Sequence, residues 1–246
     1  NDGAPWTVVE ADEFDRSFLH LHPEHAVITS LDPDHLDVYG SEKAFQEAFH
    51  SFSRQVSQGC LIHADVDWVG EENERYGIAS NREDTAHWTY AAVAPRVHKD
   101  VWTADVKLDA EWVEGVTFPM PGLHNVSNAL AALALAHRAG APMDICIQRL
   151  KTFKGINRRF TYHIREEFGV YIDDYAHHPS ELNAAIEAAR AQHPGKEITG
   201  IFQPHLFSRT RDHMIEFGAV LSQLDRVILL PIYAAREQPI PGIDSQ

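Results

Sequence analysis

Val170-Tyr171-Ile172-Asp173-Asp174-Tyr175-Ala176-His177-His178-Pro179-Ser180-Glu181-Leu182 passes from a strand pattern to a helix pattern within thirteen residues. A β-branched and aromatic run ends in two acids, and a proline then stands where a helix begins. Proline suits the first helical turn, where its missing N–H costs nothing. The stretch therefore predicts a strand feeding a helix over Ser180–Gln192. The alternation continues downstream, with Glu197–Phe202 a strand, Thr210–Gln223 a helix and Arg226–Ile232 a strand. Strands separated by helices of this length indicate a doubly wound, Rossmann-like α/β domain. Just upstream, Phe160–Arg165 and Val170–Asp174 read as a hairpin, and Lys154-Gly155-Ile156-Asn157 as a linker.

Further towards the N-terminus the pattern is again α/β. Trp6–Val9 and His25–Leu31 are short apolar runs that end in acids, and both read as strands. Ser41–Phe52 carries Phe45, Phe49 and Phe52 on one helical stripe. Cys60–Ile62, Tyr76–Ala79, His87–Tyr90 and Val113–Phe118 are short strands with few helix signals between them, which predicts an antiparallel patch at the sheet edge. Val126–Ala139 is an Ala/Leu-rich helix, and Pro142–Phe153 a second. The expected organisation is two α/β domains: residues 1–155 with a mostly parallel sheet and an antiparallel patch, and residues 156–246 of Rossmann-like type.

Composition bounds the function. The chain has 246 residues, 44% of them hydrophobic, enough for two cored domains and against disorder. A formal charge of −15 repels nucleic-acid phosphate, so a nucleic-acid role is disfavoured. Small anionic ligands stay open, because local arginines or a metal can hold them against the overall field. No apolar stretch approaches a membrane span, and Asn1-Asp2-Gly3-Ala4-Pro5-Trp6 lacks the basic start and apolar core of a signal segment. The two cysteines, Cys60 and Cys146, form no CxxC and read as reduced thiols. The expected location is the cytoplasm.

Five places carry residue types suited to chemistry. Glu10 and His35 each follow an apolar run, at the carboxyl ends of expected strands, where open parallel sheets bind ligands. One carboxylate and one imidazole suit Mg²⁺ or Mn²⁺ that takes its other ligands from water and phosphate; loop-capping acids would look the same. Asn125 and Asn128 lie one turn apart at the start of a helix, able to meet an adenine edge or simply to cap. Arg158-Arg159 on the linker suits phosphate, or a salt bridge between domains. Asp174 can hold a ribose hydroxyl, and His177 and His178 can face an anion at the following helix. In Gln203–Arg211, Ser208 reads as a helix cap. Arg209 and Arg211 fall near the helix N-terminus, where cations are disfavoured, which argues for a bound anion. No Walker A loop, GxGxxG or GxSxG is present; Gly195-Lys196 is followed by Glu197.

The six motifs that carry these residues, taken in order, resemble the Mur ligase family. They are Glu10-Ala11-Asp12-Glu13, Asp34-His35-Leu36-Asp37, His124-Asn125-Val126-Ser127-Asn128, Arg158-Arg159-Phe160, Asp173-Asp174-Tyr175-Ala176-His177-His178-Pro179, and Gln203-Pro204-His205 with Ser208-Arg209-Thr210-Arg211. The His-His-Pro and Ser-Arg-Thr-Arg elements favour the branch that adds L-alanine. The resemblance implies an ATP-dependent ligase of peptidoglycan precursor synthesis that joins L-alanine to UDP-N-acetylmuramate through an acyl phosphate. It implies that Glu10 and His35 hold Mg²⁺ (or Mn²⁺), and that Asn125 and Asn128 meet adenine with His124 nearby. Arg159 would contact phosphate and Asp174 the ribose. His177, His205 and Arg209 would face the acceptor substrates, with His177 a guess for the base.

The sequence also departs from the family pattern. Its phosphate loop and UDP-binding domain would lie before residue 1 and its last domain would continue past residue 246, so this stretch alone is expected to be inactive. His50 stands at the spacing where several relatives carry a carbamylated lysine, and Leu206 where many have arginine. The alternatives are a ligase of the same family that attaches a tripeptide, a nucleotide-binding module without turnover, and a histidine-based metallohydrolase. The last is disfavoured because no three-histidine set appears.

Overall fold

The phenylalanine stripe at 45, 49 and 52 becomes the packing face of a helix. In the computed structural model, which describes residues 5–68 and 73–245, α2 (Glu42–Ser53) starts where the Ser41 side chain accepts a hydrogen bond from the Ala44 N–H at 3.2 Å. Phe45 and Phe52 are buried, with Phe18, Ile28, Tyr39, Ile62 and Trp68 in the same cluster. Burying each such side chain contributes about 1.5–3 kcal/mol. A short helix α1 (Leu36–Tyr39) precedes α2, and both connect β1 (His25–Ile28) to β2 (Gly59–His63). These strands pair in parallel, Val27 opposite Leu61, as a helical crossover requires. Cys60, Leu61 and Ile62 are all buried, because the sheet is covered on both faces there.

The sheet has six strands in chain order, β1 to β6. β3 (Glu74–Ala79) pairs in parallel with β2 and with β4 (Tyr90–His98). The antiparallel patch is therefore confined to β4, β5 (Val101–Leu108) and β6 (Glu111–Phe118), which two-residue turns join. Lys99 and Asp100 both have positive φ, 47° and 68°, the backbone that matches strand twist in a tight hairpin. In β5 Trp102, Ala104, Val106 and Leu108 are buried, alternating with more exposed neighbours. α3 (Leu123–Arg138) buries Val126, Leu130, Ala131, Leu133 and Ala134, and α4 (Met143–Lys151) follows.

Several expectations change. Trp6–Val9 forms no strand, and Val8 is 93% exposed; among the described residues β1 is the sheet edge and nothing pairs outside it. Glu10 therefore follows an irregular segment rather than a strand end. His87–Tyr90 is mostly loop, and its strand begins at Tyr90. The expected helix Thr210–Gln223 is two helices, α6 (Phe207–Asp212) and α7 (Met214–Leu221), because His213 leaves the helical region at φ −119°. Asn1–Ala4, read above for a signal segment, lie outside the described residues.

The chain divides into two compact units. The first comprises 1–96, 103–118 and 126–152, and the second 97–102, 119–125 and 153–246. In the second, β7 (Thr161–Glu166) and β8 (Gly169–Asp173) form an antiparallel hairpin. α5 (Pro179–Gln192) has Pro179 in its first turn, and β9 (Thr199–Phe202) pairs in parallel with β10 (Arg226–Leu229). Phe202, Phe217 and Leu221 form its core, with Leu182 and Leu224 against them. Gln192, 5% exposed, accepts from Trp102 Nε1 at 3.0 Å and donates to Asp100 at 3.0 Å, so its buried amide is satisfied on both sides. No helix among the described residues is long and apolar enough to cross a membrane.

Candidate active site

In the first unit His35 turns the chain from the loop after β1 into α1. It sits in the left-handed region, φ 55° and ψ 36°, held by its N–H bond to Asp34 Oδ1 at 2.8 Å. Its Nε2 lies 3.5 Å from Glu13 Oε1 and 3.7 Å from Asp34 Oδ2, and Phe14 meets the ring edge-on at 4.9 Å. The bond to His35 holds the Glu13 carboxyl below the usual carboxylate range, against the opposing effect of burial. The carboxylates that reach His35 are thus Glu13 and Asp34, whereas Glu10 is exposed. Among the described residues no three His, Cys, Asp or Glu side chains are grouped as a metal site. One imidazole with nearby carboxylates is still a hard, oxygen-rich donor set, which fits a cation that draws its remaining ligands from phosphate and water.

The helix α3 opens after Gly122, whose φ of 97° few other residues tolerate. A Cβ there would stand 2.6 Å from the His124 ring and 2.8 Å from Ala188, so the position is closed to any side chain. The Asn125 amide nitrogen donates to the Pro121 carbonyl at 2.6 Å and meets His124 Nε2 at 3.0 Å. Both amide hydrogens are then engaged, and only Oδ1 remains to accept from a ligand. The same bond makes His124 Nε2 the acceptor, which leaves the proton on a buried Nδ1 that makes no hydrogen bond among the described residues. Burial pushes the His124 pKa down, in keeping with a neutral ring. Asn128, one turn on, is exposed.

The second unit gathers the remaining candidates around the 158–160 loop and the β8–α5 junction. Asp174 accepts from the Phe160 N–H at 2.8 Å and the Ala176 N–H at 2.9 Å. The loop needs that support, because Arg158 and Phe160 both have positive φ. Arg158 pairs with Asp173 at 3.6 Å and lies over the Tyr175 ring; Arg159 pairs with Glu181 at 3.4 Å. Both arginines thus meet carboxylates of their own unit. Glu181 also accepts from the N–H groups of His177 and His178, closing a capping box with His178 as N-cap. The place of Glu181 three residues after the cap is the sequence signal for that box.

His177 Nδ1 lies 2.8 Å from the Tyr175 carbonyl, which fixes the proton on Nδ1 and leaves Nε2 as a proton acceptor in the neutral ring. Its ring centroid is 6.3 Å from that of His205. His205 stacks on Tyr233 at 5.5 Å, and its Nδ1 lies 3.4 Å from Nη1 of the buried Arg209. Burial, then the Arg209 charge, pushes the His205 pKa down. Two carboxylates of the chain itself meet the short helix α6. Glu237 bonds both the N–H and the hydroxyl of Ser208, and Arg211 pairs with Asp212 at 2.7 Å. Ser208 is therefore a recipient of capping, not the cap; Leu206 holds that place. Neither Glu13 nor Glu237 had a local sequence signal, since each acts over a long separation.

Two family profiles match the chain, "Mur ligase middle domain" over residues 3–136 and "Mur ligase, glutamate ligase domain" over residues 158–246. The UDP-N-acetylmuramate–L-alanine ligase of Flavobacterium johnsoniae is 44% identical over 99% of this chain and 53% of its own length. A crystal structure of the UDP-N-acetylmuramate–alanine ligase of Thermotoga maritima is similar with a TM-score of 0.73 at 26% identity, covering 91% of this chain and 49% of that one. The MurF ligase of Thermotoga maritima, solved in complex with ADP, shares the fold at 16% identity and a TM-score of 0.65, over 85% of this chain and 48% of that one. The chain spans about half the length of the curated relatives it matches.

Proposed function

The chain belongs to the Mur ligase family, and on that premise we propose that the protein is an ATP-dependent ligase joining L-alanine to the carboxylate of UDP-N-acetylmuramate in the cytoplasm. The observation that carries the reading is the 44% identity, over almost the whole chain, to a ligase of that name. The muramoyl carboxylate takes the terminal phosphoryl group of ATP. The alanine amine attacks the resulting acyl phosphate, and the tetrahedral adduct collapses to the amide as phosphate leaves. Such chemistry asks the protein mainly for positioning and charge neutralisation.

Each candidate group has a role suited to its surroundings. Asn125 Oδ1, its amide nitrogen already engaged, accepts from the exocyclic amine of adenine, with Asn128 and His124 beside it. Asp174 keeps lone pairs for a ribose hydroxyl after binding two backbone N–H groups, and Arg159 meets phosphate. His177 takes the alanine ammonium proton at Nε2. His205 and Arg209 hold the acceptor carboxylate. Glu10 and His35 would hold Mg²⁺ or Mn²⁺, with Glu13 orienting the imidazole. The bound cation would offset charge on the transferring phosphoryl group.

The test is phosphate release by the whole protein at fixed ATP and Mg²⁺. UDP-N-acetylmuramate is offered with L-alanine, glycine, L-serine or the tripeptide. Release that requires UDP-N-acetylmuramate and is fastest with L-alanine is the expected result. Release with the tripeptide alone would reassign the acceptor, and no release with any acceptor would remove the ligase reading.

A further inference from the structure

The segment 233–237 is strapped onto the residues that lead into α6. The Tyr233 N–H donates to the Pro204 carbonyl at 2.8 Å, and the Leu206 N–H to the Tyr233 carbonyl at 2.9 Å. The strap ends on Glu237, whose carboxylate takes the Ser208 N–H at 3.0 Å, the Ser208 hydroxyl and the Phe207 N–H. Partial burial opposes its charge, yet the bonds from Ser208 hold its carboxyl below the usual carboxylate range. Two features bear on that anchor. Leu206 is a branched residue at φ 72°, a backbone state that persists only where its surroundings hold it. Arg209 and Arg211 both lie in the last turn of this six-residue helix, so the anchor at Ser208 sets where both guanidinium groups stand.

We propose that Glu237 is a positioning residue for the amino-acid substrate, acting through α6 to set Arg209 and His205 where they receive the substrate carboxylate. This rests on the ligase reading above. Arg209 follows Ser208 directly in the helix and is 7% exposed, so its reach is set by the helix rather than by its own rotamers. A carboxylate is best held by a guanidinium whose orientation is fixed in advance. Glu237 itself touches no substrate.

The experiment measures steady-state kinetics of the whole protein and of Glu237→Gln, which keeps the size and loses the charge, and of Ser208→Ala. Glu237→Gln is expected to raise KM for L-alanine about tenfold while leaving kcat within about threefold and KM for ATP unchanged. Ser208→Ala is expected to shift the same constant by less, and the double variant to add little, because the two share one interaction. Glu237→Asp, which restores the charge, is expected to recover part of the loss. Unchanged KM for L-alanine in Glu237→Gln would overturn the proposal, as would a fall in kcat and melting temperature with all KM values unaltered. If the unaltered protein shows no L-alanine-dependent release, the failure belongs to the ligase reading and removes the proposal with it.

Discussion

Replacing His35 by alanine is expected to lower ligase turnover of the whole protein at least a hundredfold, with the remaining activity requiring far more Mg²⁺. The loss comes from the imidazole and not from the fold around it. His35 caps α1 through its backbone, and its N–H is held by Asp34. Asparagine tolerates the same left-handed backbone and removes the ring, so His35→Asn is expected to melt close to the unaltered protein and to be equally inactive. Phosphate release against Mg²⁺ concentration, run beside thermal melts, reads both. Glu10→Ala and Glu13→Ala complete the test. If Glu10 holds the cation, its loss mimics that of His35. If Glu13 only orients the ring, its loss costs about 10–100-fold. Normal turnover and normal Mg²⁺ dependence in His35→Asn would sink the assignment.

The second large effect concerns stability. Arg138, at the end of α3, has a side chain only 10% exposed and pairs with Glu74 of β3. Its guanidinium packs where a side chain on Gly59 would stand and lies 5.9 Å from the Tyr90 ring centre. Glu74→Ala leaves that buried charge without its carboxylate and is expected to destabilise the protein by about 3 kcal/mol, the low end for a broken buried pair because Glu74 itself is 43% exposed. Glu74→Ala with Arg138→Met is expected to be more stable than Glu74→Ala alone. Urea unfolding at pH 7 measures both, and a loss under 1 kcal/mol for Glu74→Ala would refute the argument.

The pH dependence has a definite sign. Burial opposes the Glu74 charge, but the bonds from Arg138 and Thr89 win and hold its pKa below the ordinary 4.5. A carboxylate lowered on folding stabilises above its unfolded pKa, and that contribution is lost as pH falls through the folded value. The gap between the unaltered protein and Glu74→Ala is therefore expected to shrink below about pH 4.5. His25 adds to the acid loss, since burial and then Arg138 push its pKa below 6.5, so the folded state resists its protonation.

Much of this was legible in the sequence, and the failures share a cause. The stripe of Phe45, Phe49 and Phe52 and the proline at 179 are local signals, and both elements formed as read. The run Trp6–Val9 is as apolar as β1, but pairing depends on a neighbour that no local pattern reveals. β5 alternates Trp102, Ala104, Val106 and Leu108, yet its turn Lys99-Asp100 lacks the glycine that marks a hairpin, so the strand passes for loop. At the candidate site the order of motifs picked out segments, not their contacts. What it could not supply were the carboxylates that hold them. Glu13 reaches His35 from 22 residues away and Glu237 reaches Ser208 from 29, so only the folded chain brings them together.

The mixed pairing of the six-stranded sheet also has a consequence in time. β4, β5 and β6 meet across two-residue turns, so little chain entropy is lost before their hydrogen bonds form. β1 and β2 must wait for two helices to close the gap between them, a non-local step that slows folding. The chain is expected to order from the hairpin edge towards β1. Pulse-labelled hydrogen exchange during refolding would show amides of residues 101–118 protected before those of 25–28, and the reverse order would contradict it.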